Sequence, residues 1–147
     1  MALAENKKAF YDYEILESFE AGIELLGLEV KSLRAHGATL EGAHVIIRGG
    51  EGFLIQLNIP PYQVANTPKD YDPLRVRKLL LNKAELNKLA NLEAGRGLTI
   101  VPIKVYNKGR VVKVDIAVAR GKKEFDKRQS IKRRESDRES QRTLKYE

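Results

Sequence analysis

Arg75, Arg77 and Lys78 lie within four residues of one another, and Gly121-Lys122-Lys123 runs on into Asp126-Lys127-Arg128. Lys and Arg side chains neutralise phosphates and release their counterions, and a guanidinium can stack on a base or grip two phosphate oxygens. Tyr62, Tyr71, Tyr106 and Phe125 offer faces that would either stack on unpaired bases or simply pack. Other chemistries lack their residues. There is no cysteine, which excludes disulfides, thiolate catalysis and thiolate metal sites. The two histidines, His36 and His44, have no ligand spacing around them, so no metal and no cofactor is expected. No phosphate-binding glycine loop, dinucleotide fingerprint or nucleophile elbow is present, and no carboxylate pair forms a catalytic motif. The expectation is a binding protein and not an enzyme.

Charge is unevenly placed. The chain of 147 residues carries +7, and residues 120–147 hold 11 Lys/Arg against 6 Asp/Glu, while the rest is close to neutral. A near-neutral body with a basic end suits a polyanion partner reached partly through that end, although a solvated tail that aids solubility would have the same composition. No apolar run is long enough to span a bilayer, and the first residues lack the build of a signal peptide. A soluble cytoplasmic protein is expected.

Elements that could position these groups follow from periodicity. Tyr13, Ile15, Phe19, Ala21, Ile23 and Leu25 alternate with polar residues, as in a half-buried strand bent near Gly22, with a bulge where Leu16 and Glu17 break the pattern. Leu26, Val30 and Leu33 change to helical spacing, and Gly37 is a natural stop. Val45-Ile46-Ile47 and Phe53-Leu54-Ile55 flank a glycine-rich turn. Asn82 followed by Glu85 reads as a capping box for a helix that ends near Gly95 or Gly97. Two strands follow, Leu98 to Tyr106 and Arg110 to Ala119, with Val112, Val114, Ile116 and Val118 facing inward. The sum is a mainly β chain, a small closed or partly open barrel with two or three short helices over residues 1–121. Residues 122–147 form a basic tail with only Ile131, Leu144 and Tyr146 as sizeable apolar groups beyond residue 125. Burying three such side chains yields on the order of 5 kcal/mol, against an ordering cost of roughly 1–2 kcal/mol per residue. The tail is therefore expected to be disordered in isolation and helical only when held by a partner, with Arg134, Arg138, Arg142 and Tyr146 then on one face.

Several segments together resemble one family. Asn6-Lys7-Lys8-Ala9, Phe19-Glu20-Ala21-Gly22-Ile23 and Gly27-Leu28-Glu29-Val30-Lys31-Ser32-Leu33-Arg34 are similar to the opening of the SsrA-binding protein family. Asp72-Pro73-Leu74-Arg75-Val76-Arg77-Lys78-Leu79-Leu80-Leu81 resembles its central signature, and Gly121 to Arg128 its closing one. The order and spacing hold from about residue 6 to 145. The sequence departs from the family at Leu28, at Asn58-Ile59-Pro60 and at Thr143, which stands before Leu144 where an apolar pair is usual.

The resemblance implies an oligonucleotide-binding (OB) fold and a non-catalytic adaptor. It would bind the tRNA-like domain of transfer-messenger RNA and bring it to stalled ribosomes for trans-translation, with the tail in the empty messenger path of the ribosome. Elongation factor Tu would be a further partner. Carried over by motif, Asn6, Glu20, Leu80 and Lys113 are expected at the RNA, joined by the basic group Arg75, Arg77 and Lys78. Asn6 could instead cap or tether the N-terminus, Leu80 could be core, and Glu20 could orient a nearby cation. Gly121, Lys122, Lys123, Asp126, Lys127, Arg128, Arg134, Arg138, Arg142 and Leu144 are expected on the ribosome, with Gly121 allowing a sharp exit from the last strand. The alternative is a small basic OB-fold ribosomal protein or a general RNA binder.

Overall fold

The computed structural model describes residues 2–95 and 97–122. Its strands are β1 (Ala2–Glu5), β2 (Tyr13–Ile23), β3 (His44–Arg48), β4 (Glu51–Ile55), β5 (Arg77–Leu80), β6 (Leu98–Lys108) and β7 (Val111–Gly121). The helices are α1 (Lys7–Asp12), α2 (Gly27–His36) and α3 (Lys83–Glu93), with a 3₁₀ turn at Val64–Asn66. Every pairing is antiparallel, in the order β1-β6-β3-β4-β5-β2-β7. A long β6–β7 ladder from Leu98↔Arg120 to Lys108↔Val111 then closes the ring, and β1 pairs with the second half of β6, where its Ala4 joins the main core. Closure removes the open edges that would otherwise template aggregation.

The expected elements are present, joined by β1, β5 and α1. In β2 the register shifts between Ile15 and Glu17, which is the bulge that the broken alternation indicated. The β3–β4 turn narrows to Gly49-Gly50, both at positive φ (61° and 76°), the backbone a two-residue hairpin turn demands. Asn82 Oδ1 accepts the Glu85 N–H at 2.8 Å and Glu85 Oε1 accepts the Asn82 N–H at 3.2 Å, so the capping box is real. Helix α3 stops at Glu93, whose carboxylate accepts the Ile47 N–H at 2.7 Å and pins α3 over β3.

Inside the barrel lie Leu33, Leu54, Leu57, Ile59, Leu89, Ile100, Val105, Val114 and Ile116, all fully buried. A second, smaller core forms outside the ring, where Ala9 of α1 packs on Val101 and Ala119. This is why β7 is buried on both faces near its end. Asn6 secures the arrangement: its side-chain N–H donates to the Pro102 carbonyl at 3.0 Å and its backbone N–H to Ile103 at 2.7 Å.

Candidate nucleic-acid interface

Strand register brings distant motif residues together. Gly22 of β2 pairs with Leu80 of β5 on one side and with Lys113 of β7 on the other, and Lys113 pairs in turn with Tyr106 of β6. The parallel row one step along the barrel is Glu20, Asp115 and Lys104. Leu80 is half exposed, so it belongs to the surface and not to the core. Gly22 explains how Leu80 lies there: a Cβ built on this glycine would stand 3.1 Å from the Leu80 Cβ and 3.4 Å from its Cδ1. The bare backbone is the seat of the leucine. Periodicity marks Gly22 only as a bend, although a glycine inside a strand also signals such close approach.

Glu20 acts on its neighbours. It accepts a short hydrogen bond from the Tyr106 hydroxyl and a second from Lys108 Nζ at 3.0 Å. The hydrogen bond from Tyr106, then that from Lys108, hold its carboxyl below the usual carboxylate range. Desolvation, then the hydrogen bonds to Glu20 and Asp115, push the Tyr106 phenol up, so it stays a donor. Lys104 completes the group, 3.7 Å from Asp115 and 5.2 Å from the centre of the Tyr106 ring. Glu20 thus holds the Tyr106 hydroxyl and the Lys108 ammonium. Lys113 makes no ion pair among the described residues, and its charge helps to lower the pKa of Glu20.

The basic triplet divides. Arg77 faces into the barrel end and is wholly buried, where a phosphate cannot reach it. The expectation that it contacts RNA is therefore replaced by a structural role. Its Nε donates to Glu29 Oε2 at 2.8 Å, its Nη1 to the Leu57 carbonyl at 2.6 Å and its Nη2 to the Pro73 carbonyl at 3.1 Å. Lys78 is exposed and pairs with Glu51 at 3.1 Å. Arg75 is partly exposed, and its Nε and Nη2 span the two oxygens of Glu29.

Glu29 escaped sequence reasoning. It is fully buried, and it also accepts the Leu26 N–H at 2.8 Å and lies 3.2 Å from the Tyr71 hydroxyl. Burial alone would raise its pKa, but Arg75, the Leu26 N–H and Arg77 outweigh that and lower it. The available signal was its spacing, three residues after Leu26 and four before Leu33, within the apolar stripe. Ser32, on the same helix, is buried and donates to the Pro60 carbonyl. The Glu-Val-Lys-Ser-Leu-Arg motif is thus mainly a docking face for α2.

Asn6 is buried as a tether and stands apart from the Leu80–Lys113 row, beside a hollow of about 440 Å³ lined also by Lys8, Tyr13 and His44. Gly121 is the last residue of β7, extended and paired with Tyr13. Lys122 lies against the end of α1, its N–H on the Asp12 carbonyl at 2.9 Å and its Nζ on the Phe10 carbonyl at 3.0 Å. Lys123, Asp126, Lys127, Arg128, Arg134, Arg138, Arg142 and Leu144 lie outside the described residues.

The model of the family described as "SmpB protein" matches residues 3–146, nearly the whole chain. This chain belongs to the SmpB family. The SsrA-binding protein of Mesoplasma florum is 51% identical over 144 residues, covering 98% of this chain and 97% of that one. The SsrA-binding protein of Thermosipho africanus is 51% identical over 144 residues (97% and 96%), and that of Streptococcus mutans 50% over 143 (97% and 92%). Among solved structures, a chain from "tmRNA-SmpB: a journey to the center of the bacterial ribosome" superposes with a TM-score of 0.70 at 47% identity, over 82% of this chain and 85% of that one. The SmpB fold and the barrel derived above are therefore the same architecture. No helix among the described residues is long and apolar enough to cross a membrane.

Proposed function

We propose that this chain is a non-catalytic adaptor that binds the tRNA-like domain of transfer-messenger RNA and carries it to stalled ribosomes for trans-translation. Membership of the SmpB family supports the role, and one observation supports the site. Glu20, Leu80 and Lys113, remote in sequence, meet on one outer patch of β2, β5 and β7. Lys113 supplies the phosphate contact, Leu80 an apolar face for a base or ribose, and Glu20 fixes Tyr106 and Lys108 around them. Such a patch reads shape and backbone, as suits a folded RNA. Asn6 contributes by holding β1 and α1 on β6. Lys122 and the basic residues after it act on the ribosome, in the messenger path, with elongation factor Tu engaging the same aminoacylated RNA in the cytoplasm.

The test is rescue of stalled ribosomes in a purified translation system. A chain ending at Lys122 is expected to bind the RNA nearly as well as the full chain yet fail in rescue. Loss of RNA binding on truncation would contradict the division of labour, and stoichiometric presence on every ribosome would favour a structural ribosomal protein.

A further inference from the structure

Around Glu29 the charges do not balance. One carboxylate receives two guanidiniums, and Arg77 alone suffices to neutralise it: Arg77 is wholly buried and places both Nε and Nη2 on Oε2. Arg75 is therefore a surplus cation. Two of its nitrogens are fixed, Nε on Oε2 at 3.1 Å and Nη2 on Oε1. The third, Nη1, reaches only the Val76 carbonyl, at a long 3.3 Å. Its side chain is 30% exposed, whereas that of Arg77 is not exposed at all. Asp72, the nearby acid in the chain, uses a carboxylate oxygen on the Leu74 N–H at 2.9 Å. The segment that carries Arg75 is itself fastened: Arg77 holds the Pro73 and Arg75 carbonyls, and Tyr71 donates to the Ile59 carbonyl at 2.8 Å.

We infer that Arg75, on the segment that leads into β5, is a phosphate-binding group, and that the buried Glu29 is its positioning residue. A guanidinium gripped along one edge presents the other in a fixed direction, so a phosphate diester gains two preorganised donors without ordering a long side chain. Lysine could not do this, because its ammonium would hang from a flexible stem. The assignment rests on the RNA-adaptor reading and adds to it a second phosphate contact and the residue that aims it.

The experiment is a titration of the full-length protein with the tRNA-like domain of transfer-messenger RNA at several salt concentrations, alongside thermal melting. Arg75→Ala is expected to raise Kd roughly three- to tenfold and to reduce the slope of log K against log salt by about 0.7–0.9, the share of one phosphate. Arg75→Lys keeps the slope but binds more weakly, since the charge survives and its direction does not. Glu29→Gln weakens binding in the folded protein, and combining it with Arg75→Ala costs less than the two losses added together. If Glu29→Gln does not fold, the two Arg75 variants decide. Wild-type Kd and slope in Arg75→Ala would overturn the inference and leave Arg75 a purely structural partner of Glu29. Lys113→Ala in the same series separates the two levels: weaker binding there with an unaffected Arg75→Ala sinks only this assignment, whereas no effect from either sinks the RNA site itself.

Discussion

At Glu29 a single carboxylate decides how α2, the 71–75 segment and β5 fit together. Breaking a buried ion pair by removing one partner leaves the other charge stranded, at a cost of about 3–5 kcal/mol. Glu29→Ala is accordingly expected to lower stability by that order in urea denaturation, with Arg77 left unpaired in the interior. The pH dependence has a definite sign. Glu29 is held below its ordinary value in the folded chain, so in acid the unfolded chain binds the proton more readily. Its stabilisation is complete above the usual carboxylate value near ~4.3 and is lost as pH falls through the lower, folded value. Acid titration of stability should show a shallower fall in Glu29→Gln than in the native chain, and equal slopes would mean the carboxylate is not ionised there. Gly22 makes a different residue-scale prediction. Gly22→Ala would crowd Leu80 at 3.1 Å and displace it, weakening RNA binding with little change in the salt slope, because no charge moves. A reduced slope would mean that Lys113 had been disturbed instead.

The longer elements announced themselves because their patterns were uninterrupted. The inward row Val112, Val114, Ile116 and Val118 and the Asn82–Glu85 box follow directly from spacing, and the β2 bulge is visible as two misplaced residues. The short ones did not. Strand β5 is four residues long and puts an arginine at an inward position, so Arg77-Lys78-Leu79-Leu80 reads as a basic run beside an apolar one. The partner that makes this tolerable, Glu29, is 48 residues away, and no local pattern connects them. Likewise Arg75, Arg77 and Lys78 form one cluster in sequence and three separate environments in space. Asn82 offers a check at this scale: Asn82→Ala removes one acceptor and one half of the reciprocal cap. That should cost about 1 kcal/mol of stability by urea denaturation, with RNA affinity unchanged. A larger loss, or a loss of binding, would mean that α3 does more than cover the β3 end of the barrel.

Across the whole molecule, pairing of β2 with β5 on one side and β7 on the other turns scattered motif residues into a surface, and the β6–β7 ladder adds Tyr106, so that Leu80, Gly22, Lys113 and Tyr106 come together from four strands. The family resemblance named Asn6, Glu20, Leu80 and Lys113, but only the register says that Leu80 and Lys113 flank one glycine and that Asn6 works from a different side. The central claim is that this patch reads a tRNA-like RNA. The most direct measurement is a salt-controlled titration of the tRNA-like domain of transfer-messenger RNA against the native chain and Lys113→Ala, with ordinary tRNA as competitor. The account predicts weaker binding by Lys113→Ala, a salt slope smaller by about 0.7–0.9, and poor competition by tRNA. Unchanged affinity in Lys113→Ala together with equal competition by tRNA would contradict it, and the chain would then be a general basic RNA binder.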